Sequence, residues 1–197
     1  MPTATISTLP TEEIERVEAF FAPHPYPELK DASDLLADQR LANTDFDRFM
    51  RHNVIAHARS GYACVTLTAK ETGIPPGDVT DRQMEQVADW AEQYGFGEIR
   101  ISHEQNFVLP DVRQDALLPL WEQARAAGLG SANAKLLSDM ICCPGGDYCA
   151  LANAKSIPVA EAIQSRFEDM DYVYDLGPLE LNISGCMNAC GHHHIGH

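Results

Sequence analysis

Basic residues are scarce in this sequence: 14 Lys and Arg stand against 29 Asp and Glu, a formal net charge of -15. Phosphate backbones and anionic membrane surfaces are bound by clustered cations, so the balance argues against both as partners. Long apolar runs are missing too. No stretch approaches the ~20 apolar residues that a membrane-spanning helix requires. The opening MPTATISTLPTEEIERVEAFF has neither a basic region nor an apolar core, so it does not read as a signal peptide. Together these absences predict a cytoplasmic protein. Without an export signal, the six cysteines are not expected to form a disulfide framework. Thiols for a metal or for packing are the better expectation. Internal repeats and low-complexity runs are absent as well. What remains is an ordinary globular balance, 45% hydrophobic and 22% charged over 197 residues, enough for one or two small domains with a real core.

Along the chain, residues 1–51 read as a helical arm or linker. Thr11 is placed to cap a helix carrying Glu12 and Glu13 in its first turn and Ile14, Val17, Phe20 and Phe21 on one side. The prolines of APHPYPELK end it, and further helical stretches follow at about 32–41 and 46–51. From residue 52 the pattern changes. GYACVTLTA (61–69) has strand composition, and TDRQMEQVADWAEQYG (80–95) has a capping box, Thr80 with Gln83, before Met84, Val87, Ala88 and Ala91. Gly95 supplies a stop; EIRIS and NFVL read as strand; 111–128 reads as a second helix. This order predicts a small α+β sandwich over 52–128. From 129 the chain is loop-rich, with one helix expected at 158–169 (Val159, Ile163 and Phe167 inward) and a strand at 179–184 that runs into Cys186.

The chemistry sits in ICCPGGDYCALANAKSIP and NISGCMNACGHHHIGH. Cys143 and Cys149 are spaced C-x5-C, and Cys186 and Cys190 C-x3-C. Two close pairs of thiols separated by a helix are the usual way a chain encloses one soft metal centre. Pro144-Gly145-Gly146, Gly185 and Gly191 let the backbone bend around a bulky group and aim N–H donors at sulfur. Zinc is the competing reading. C-x5-C is wide for a zinc knuckle, but His192, His193, His194 and His197 offer further ligands. Cys142 and Cys64 read as packing thiols.

These two segments resemble the sirohaem and iron–sulfur segment of the nitrite/sulfite reductase haemoprotein family, whose pattern is C-x5-C, a long spacer, then C-x3-C. The resemblance covers about residues 50–197. It implies an α+β chain with three parts: the arm (1–51), a ferredoxin-like half-domain (52–128), and the start of a sirohaem/[4Fe–4S] domain (129–197). It implies that Cys143, Cys149, Cys186 and Cys190 hold a [4Fe–4S] cluster, with Cys190 bridging to the sirohaem iron. The activity implied is six-electron reduction of sulfite to sulfide or of nitrite to ammonia, with a ferredoxin or flavoprotein as electron donor. The alternatives are an iron–sulfur electron-transfer module without catalysis, or a zinc-stabilised interaction domain.

Two positions depart from the pattern. Where the family strand reads T-x-R-Q-N, this chain has SHEQN, with Glu104 in place of arginine; Ser138-Asp139 stands where the family has Arg-Asn. Carboxylates cannot grip the carboxylates of sirohaem or an oxyanion. The expectation is therefore a chain resembling the second, cluster-bearing half of such an enzyme, cut off inside its last domain. The anion-binding half would be a further partner, and these 197 residues alone are expected to be inactive. Lys135 and Lys155 are candidates for positive charge near the cofactor, with Lys155 reading equally well as a solvated loop residue. The histidines are assigned to packing beside the cluster rather than to proton donation.

Overall fold

The computed structural model describes residues 9–22 and 24–196. Its elements run α1 (Thr11–Phe20), α2 (Ser33–Ala42), α3 (Thr44–Asn53), β1 (Val54–Ala56), β2 (Tyr62–Leu67), α4 (Asp81–Tyr94), β3 (Arg100–Ile101), β4 (Phe107–Arg113), α5 (Leu117–Ala126), β5 (Ile141–Cys142), α6 (Gly145–Tyr148), α7 (Ile157–Arg166), α8 (Met170–Leu176) and β6 (Asn182–Ile183). Four strands form an antiparallel sheet in the order β1-β2-β4-β3. Helices α4 and α5 bury Val87, Trp90, Leu117, Leu120 and Trp121 in one core with Val65, Leu67, Leu109 and Val112 of the sheet. The mixed α/β architecture with a small antiparallel sheet is the one the sequence predicts.

Several local expectations change. Thr11 is not the cap of α1; Pro10 is, with no side-chain hydrogen bond, and the helix buries none of its residues. Phe20 and Phe21 are 83% and 75% exposed, so the apolar side of this helix has no core to enter. The end of the arm behaves differently. Asn43 caps α3 by accepting the Phe46 N–H at 3.1 Å, and Phe46 and Phe49 are fully buried against Trp121. Residues 44–53 are thus part of the half-domain's core rather than a linker to it.

The capping box of α4 is present, with Thr80 Oγ1 accepting from Gln83 N at 3.2 Å and Gln83 Oε1 accepting from Thr80 N at 2.8 Å. Its buried face is rotated from the expected one. Trp90 and Tyr94 join Val87 and Ala91 inside, while Met84 and Ala88 are exposed. Two large rings at helical spacing fill more of the space over the sheet than Met and Ala would.

The helix expected from 111 begins only at 117, because β4 continues through Pro110 to Arg113. Proline has no N–H for a ladder, yet β4 lies between β2 and β3. The register explains it: the β2–β4 pairing shifts between Ala63 and Val65, a bulge that takes Pro110 out of the ladder.

Beyond residue 130 the order is thinner. Strands β5 and β6 pair in parallel, Ile141 with Asn182 and Cys142 with Ile183. A parallel pair needs a long crossover, and α6, α7 and α8 supply it. The expected strand at 179–184 shortens to Asn182–Ile183. Of the residues expected inward on α7, Ile163 and Phe167 pack partly buried against the two small clusters and Val159 is exposed, while Ala160 and Gln164 are the fully buried ones. No helix among the described residues is long and apolar enough to cross a membrane.

Candidate metal centre

The parallel pairing places the two cysteine segments at the same end of β5 and β6. Cys143 follows β5 directly, its N–H donating to Ile183 O at 3.1 Å, and Cys186 lies just beyond β6. The turns then converge on Ser184-Gly185. Gly185 N–H donates to Cys143 Sγ at 3.1 Å. Gly185 O accepts from Asn153 N at 2.9 Å and Ala154 N at 3.1 Å, at the end of the turn that carries Cys149. Ser184 Oγ accepts from Gly191 N at 3.0 Å, next to Cys190. Each of the four cysteines predicted as ligands is therefore tied, directly or through a near neighbour, to one dipeptide.

Glycine is required where these turns meet. A Cβ on Gly185 would stand 2.7 Å from Ala154 O, and one on Gly191 would stand 2.1 Å from Ile183 O. No side chain fits at either place without driving the loops apart.

The neighbouring thiols Cys142 and Cys143 are buried alike and differ in chemistry. Burial pushes the Cys142 thiol up to about 11 despite the Ser156 hydroxyl nearby. At Cys143 burial acts in the same direction but is outweighed by the Ser156 hydroxyl and the N–H groups of Gly185 and Gly145, which hold the thiol below its usual value. The N–H groups of Gly185 and Gly145, aimed at Cys143 and not at Cys142, favour the thiolate, the form that ligates metal, at Cys143. Cys149 and Cys186 are half-buried and Cys190 is exposed.

A tetrahedral zinc ion with Zn–S bonds of about 2.3 Å gathers its sulfurs to within roughly 4 Å of one another. Among the described residues no three cysteine sulfurs lie within even 4.8 Å of one another.

His192 packs edge-on to His103 at 5.9 Å, and its carbonyl accepts from Asn182 Nδ2 at 3.0 Å. His193 and His194 are exposed and lean on each other, and His197 lies outside the described residues. Lys155 is paired with Asp147 at 2.8 Å, and Lys135 takes a left-handed backbone with its N–H on Asp139 Oδ2 at 2.9 Å.

The sequence reading missed the seam that joins the half-domain to this site. Gln105, with φ of 62°, works like a length of strand: its Nε2 donates to Cys142 O at 2.9 Å and its Oε1 accepts from Cys142 N at 3.0 Å. Beside it, Asn106 Nδ2 donates to Asp139 Oδ1 at 2.8 Å, and Lys70 Nζ donates to Glu104 O at 2.7 Å. Burial pushes Lys70 down to about 8 and Asp139 up to about 6. The only sequence signal for this seam was polar residues, Lys70 and Gln105-Asn106, at the ends of strands. Where the family pattern has arginines the chain has Glu104 and Ser138, and the carboxylates of Glu104 and Asp139 lie near Lys70, which is already engaged with Glu104 O. These residues do not fit the grip on sirohaem.

Residues 68–127 match the family description Nitrite/Sulfite reductase ferredoxin-like half domain. The chain is 34% identical over 127 residues to the chloroplastic ferredoxin–nitrite reductase of Zea mays, an alignment covering 60% of this chain and 21% of that protein. It is 30% identical over 124 residues to sulfite reductase [ferredoxin] 2 of Mycolicibacterium paratuberculosis, covering 60% and 22%. The structure of Mycobacterium tuberculosis NirA protein superposes with a TM-score of 0.58 at 24% identity, over 71% of this chain and 25% of that one. The fold is thus that of a ferredoxin-like half-domain. Over residues 68–127 the chain is similar to the ferredoxin-like half-domain of nitrite and sulfite reductases. It spans about a fifth to a quarter of the relatives it matches.

Proposed function

We propose that residues 129–197 hold a [4Fe–4S] cluster through Cys143, Cys149, Cys186 and Cys190, as the cluster-bearing part of an enzyme that reduces sulfite or nitrite. The observation that carries this reading is the Cys143 sulfur, which accepts an N–H bond from Gly185 at 3.1 Å at the point where the turns of the other cysteines meet. Such donors offset the negative charge of thiolates and tune the potential of a bound cluster. The cluster would supply one-electron transfer; the chain supplies thiolates, N–H donors and a glycine-lined fit. Cys190, the exposed member of the set, is the thiolate the resemblance gives to the bridge with sirohaem iron. The sirohaem itself would be gripped by basic groups outside residues 1–197, since Glu104 and Asp139 cannot do it. Ferredoxin as the donor is supported by the names of the relatives.

Anaerobic reconstitution followed by iron and sulfide analysis tests the ligand set. The wild-type chain is expected to bind about four irons. Cys143→Ser, Cys149→Ser, Cys186→Ser and Cys190→Ser should each lose most of that iron, and Cys142→Ser should keep it. Equal loss in Cys142→Ser would overturn the assignment.

A further inference from the structure

On the half-domain, away from the cysteines, His24 of the arm, Glu98 before β3 and Asp111 of β4 each bring one ligand atom to within 4.8 Å of the others. We propose that these three side chains form a divalent transition-metal site of the zinc class, which fastens the N-terminal arm to the sheet. This proposal is independent of the reading of the cysteines.

The geometry is built from both sides. Glu98 has its Oε1 taken by Arg100 Nε at 2.6 Å, while its Oε2 faces His24 Nε2 at 3.5 Å. Asp111 is buried, and its Oδ1 receives both the Tyr26 hydroxyl at 2.7 Å and His57 Nε2 at 3.2 Å. His57 Nδ1 accepts the Arg59 N–H at 2.9 Å, so the ring proton sits on Nε2 and points at Asp111. With Oδ1 occupied, Oδ2 is the oxygen a metal would take. Each carboxylate is thus oriented through one oxygen by neighbouring donors, the arrangement that fixes metal ligands in place.

The His24 ring stacks on Phe96 at 5.0 Å between centroids, which sets its direction too. One imidazole and two carboxylates suit zinc, manganese or iron better than magnesium or calcium, whose sites are all oxygen. Zinc–ligand bonds of about 2.0–2.2 Å bring ligand atoms to roughly 3.5 Å from one another. Closure therefore asks for a movement of about an ångström, which exposed His24 on the arm can make. The fourth position is open to water.

The test is zinc binding by the full-length chain, as isolated, with wild type compared against His24→Ala. Any zinc taken up by the thiols or the tail histidines is the same in both proteins, so the difference between them reports on His24. His24 is exposed, so its loss should leave the fold intact, which circular dichroism checks. His24→Ala should bind one equivalent less zinc. Zinc should also slow tryptic cleavage after Lys30 about tenfold or more in wild type, relative to chelator-treated protein, and not in His24→Ala. Asp111→Asn should lose the same equivalent. Equal zinc content in wild type and His24→Ala would overturn the site. So would zinc-independent cleavage after Lys30, which would leave His24 a packing contact only.

Discussion

The half-domain and the cysteine segment obtain their shapes by different means. The half-domain has a single core in which Phe46, Phe49, Val65, Val87, Leu120 and Ala124 are wholly buried, and two helices lie across a four-stranded sheet. Beyond residue 130 the described residues form two small clusters, Leu136, Leu137 and Val173 in one and Met140, Cys142 and Ala160 in the other. Strands two residues long cannot hold a region by themselves. Its order comes from backbone hydrogen bonds to Ser184-Gly185, from close-fitting glycines and from the Gln105 seam. The contrast is that the scaffold keeps its shape by apolar burial, while the cysteine segment keeps its shape by hydrogen bonds, close backbone contacts and docking on its neighbour.

Breaking the scaffold should have the largest effect. Phe49→Ala removes a fully buried ring from between α3 and Trp121, and should lower stability to urea by about 3–5 kcal/mol. A loss below about 1 kcal/mol would mean that the arm helix is not part of the core.

The seam should be the pH-sensitive element. Asp139 is raised from 3.8 to about 6, so the folded state holds its proton more tightly than the unfolded chain does, and stability should fall as pH rises from about 4 to 6. Lys70 is lowered from 10.5 to about 8, so the folded state releases its proton first, and stability should climb again from about pH 8 to 10.5. Each window is worth on the order of 3 kcal/mol at most. Urea unfolding at pH 4.5, 7 and 9.5 should give its minimum in the middle, and Asp139→Asn should flatten the acid side. A wild-type maximum at pH 7 would contradict the burial of this pair.

The smallest effect sharpens the comparison most. Gln105→Ala leaves the N–H and C=O of buried Cys142 without these partners, and should cost the docking of the cysteine segment about 1–3 kcal/mol. Hydrogen exchange should speed up over 141–150 and stay unchanged in α4. Equal acceleration in both would show that the two regions unfold as one unit.

Much of this was legible without coordinates because it is local. The Thr80–Gln83 box, the turn at Gly95 and the two cysteine spacings each follow from residues a few positions apart, where steric and hydrogen-bonding rules act directly. The carboxylates at 104 and 139 could likewise be read as wrong for gripping anions, since charge is a property of the residue type alone.

What only the tertiary structure decided depends on partners far along the chain. Pro110 looked like the approach to a helix and lies in a strand, because it sits in a bulge of β4 on either side of which the pairing with β2 continues. Met84 gave way to Trp90 and Tyr94 on the buried face, since the sheet beneath selects by volume. Lys70 gave no sign that it would be buried against a loop thirty-four residues on. Asp111, Glu98 and His24 share no motif, and only the folding of the arm across the sheet brings them to one point. Sequence determined the chemistry each residue can perform; the packing of distant segments determined which residues perform it together, because burial and proximity are properties of the assembled core.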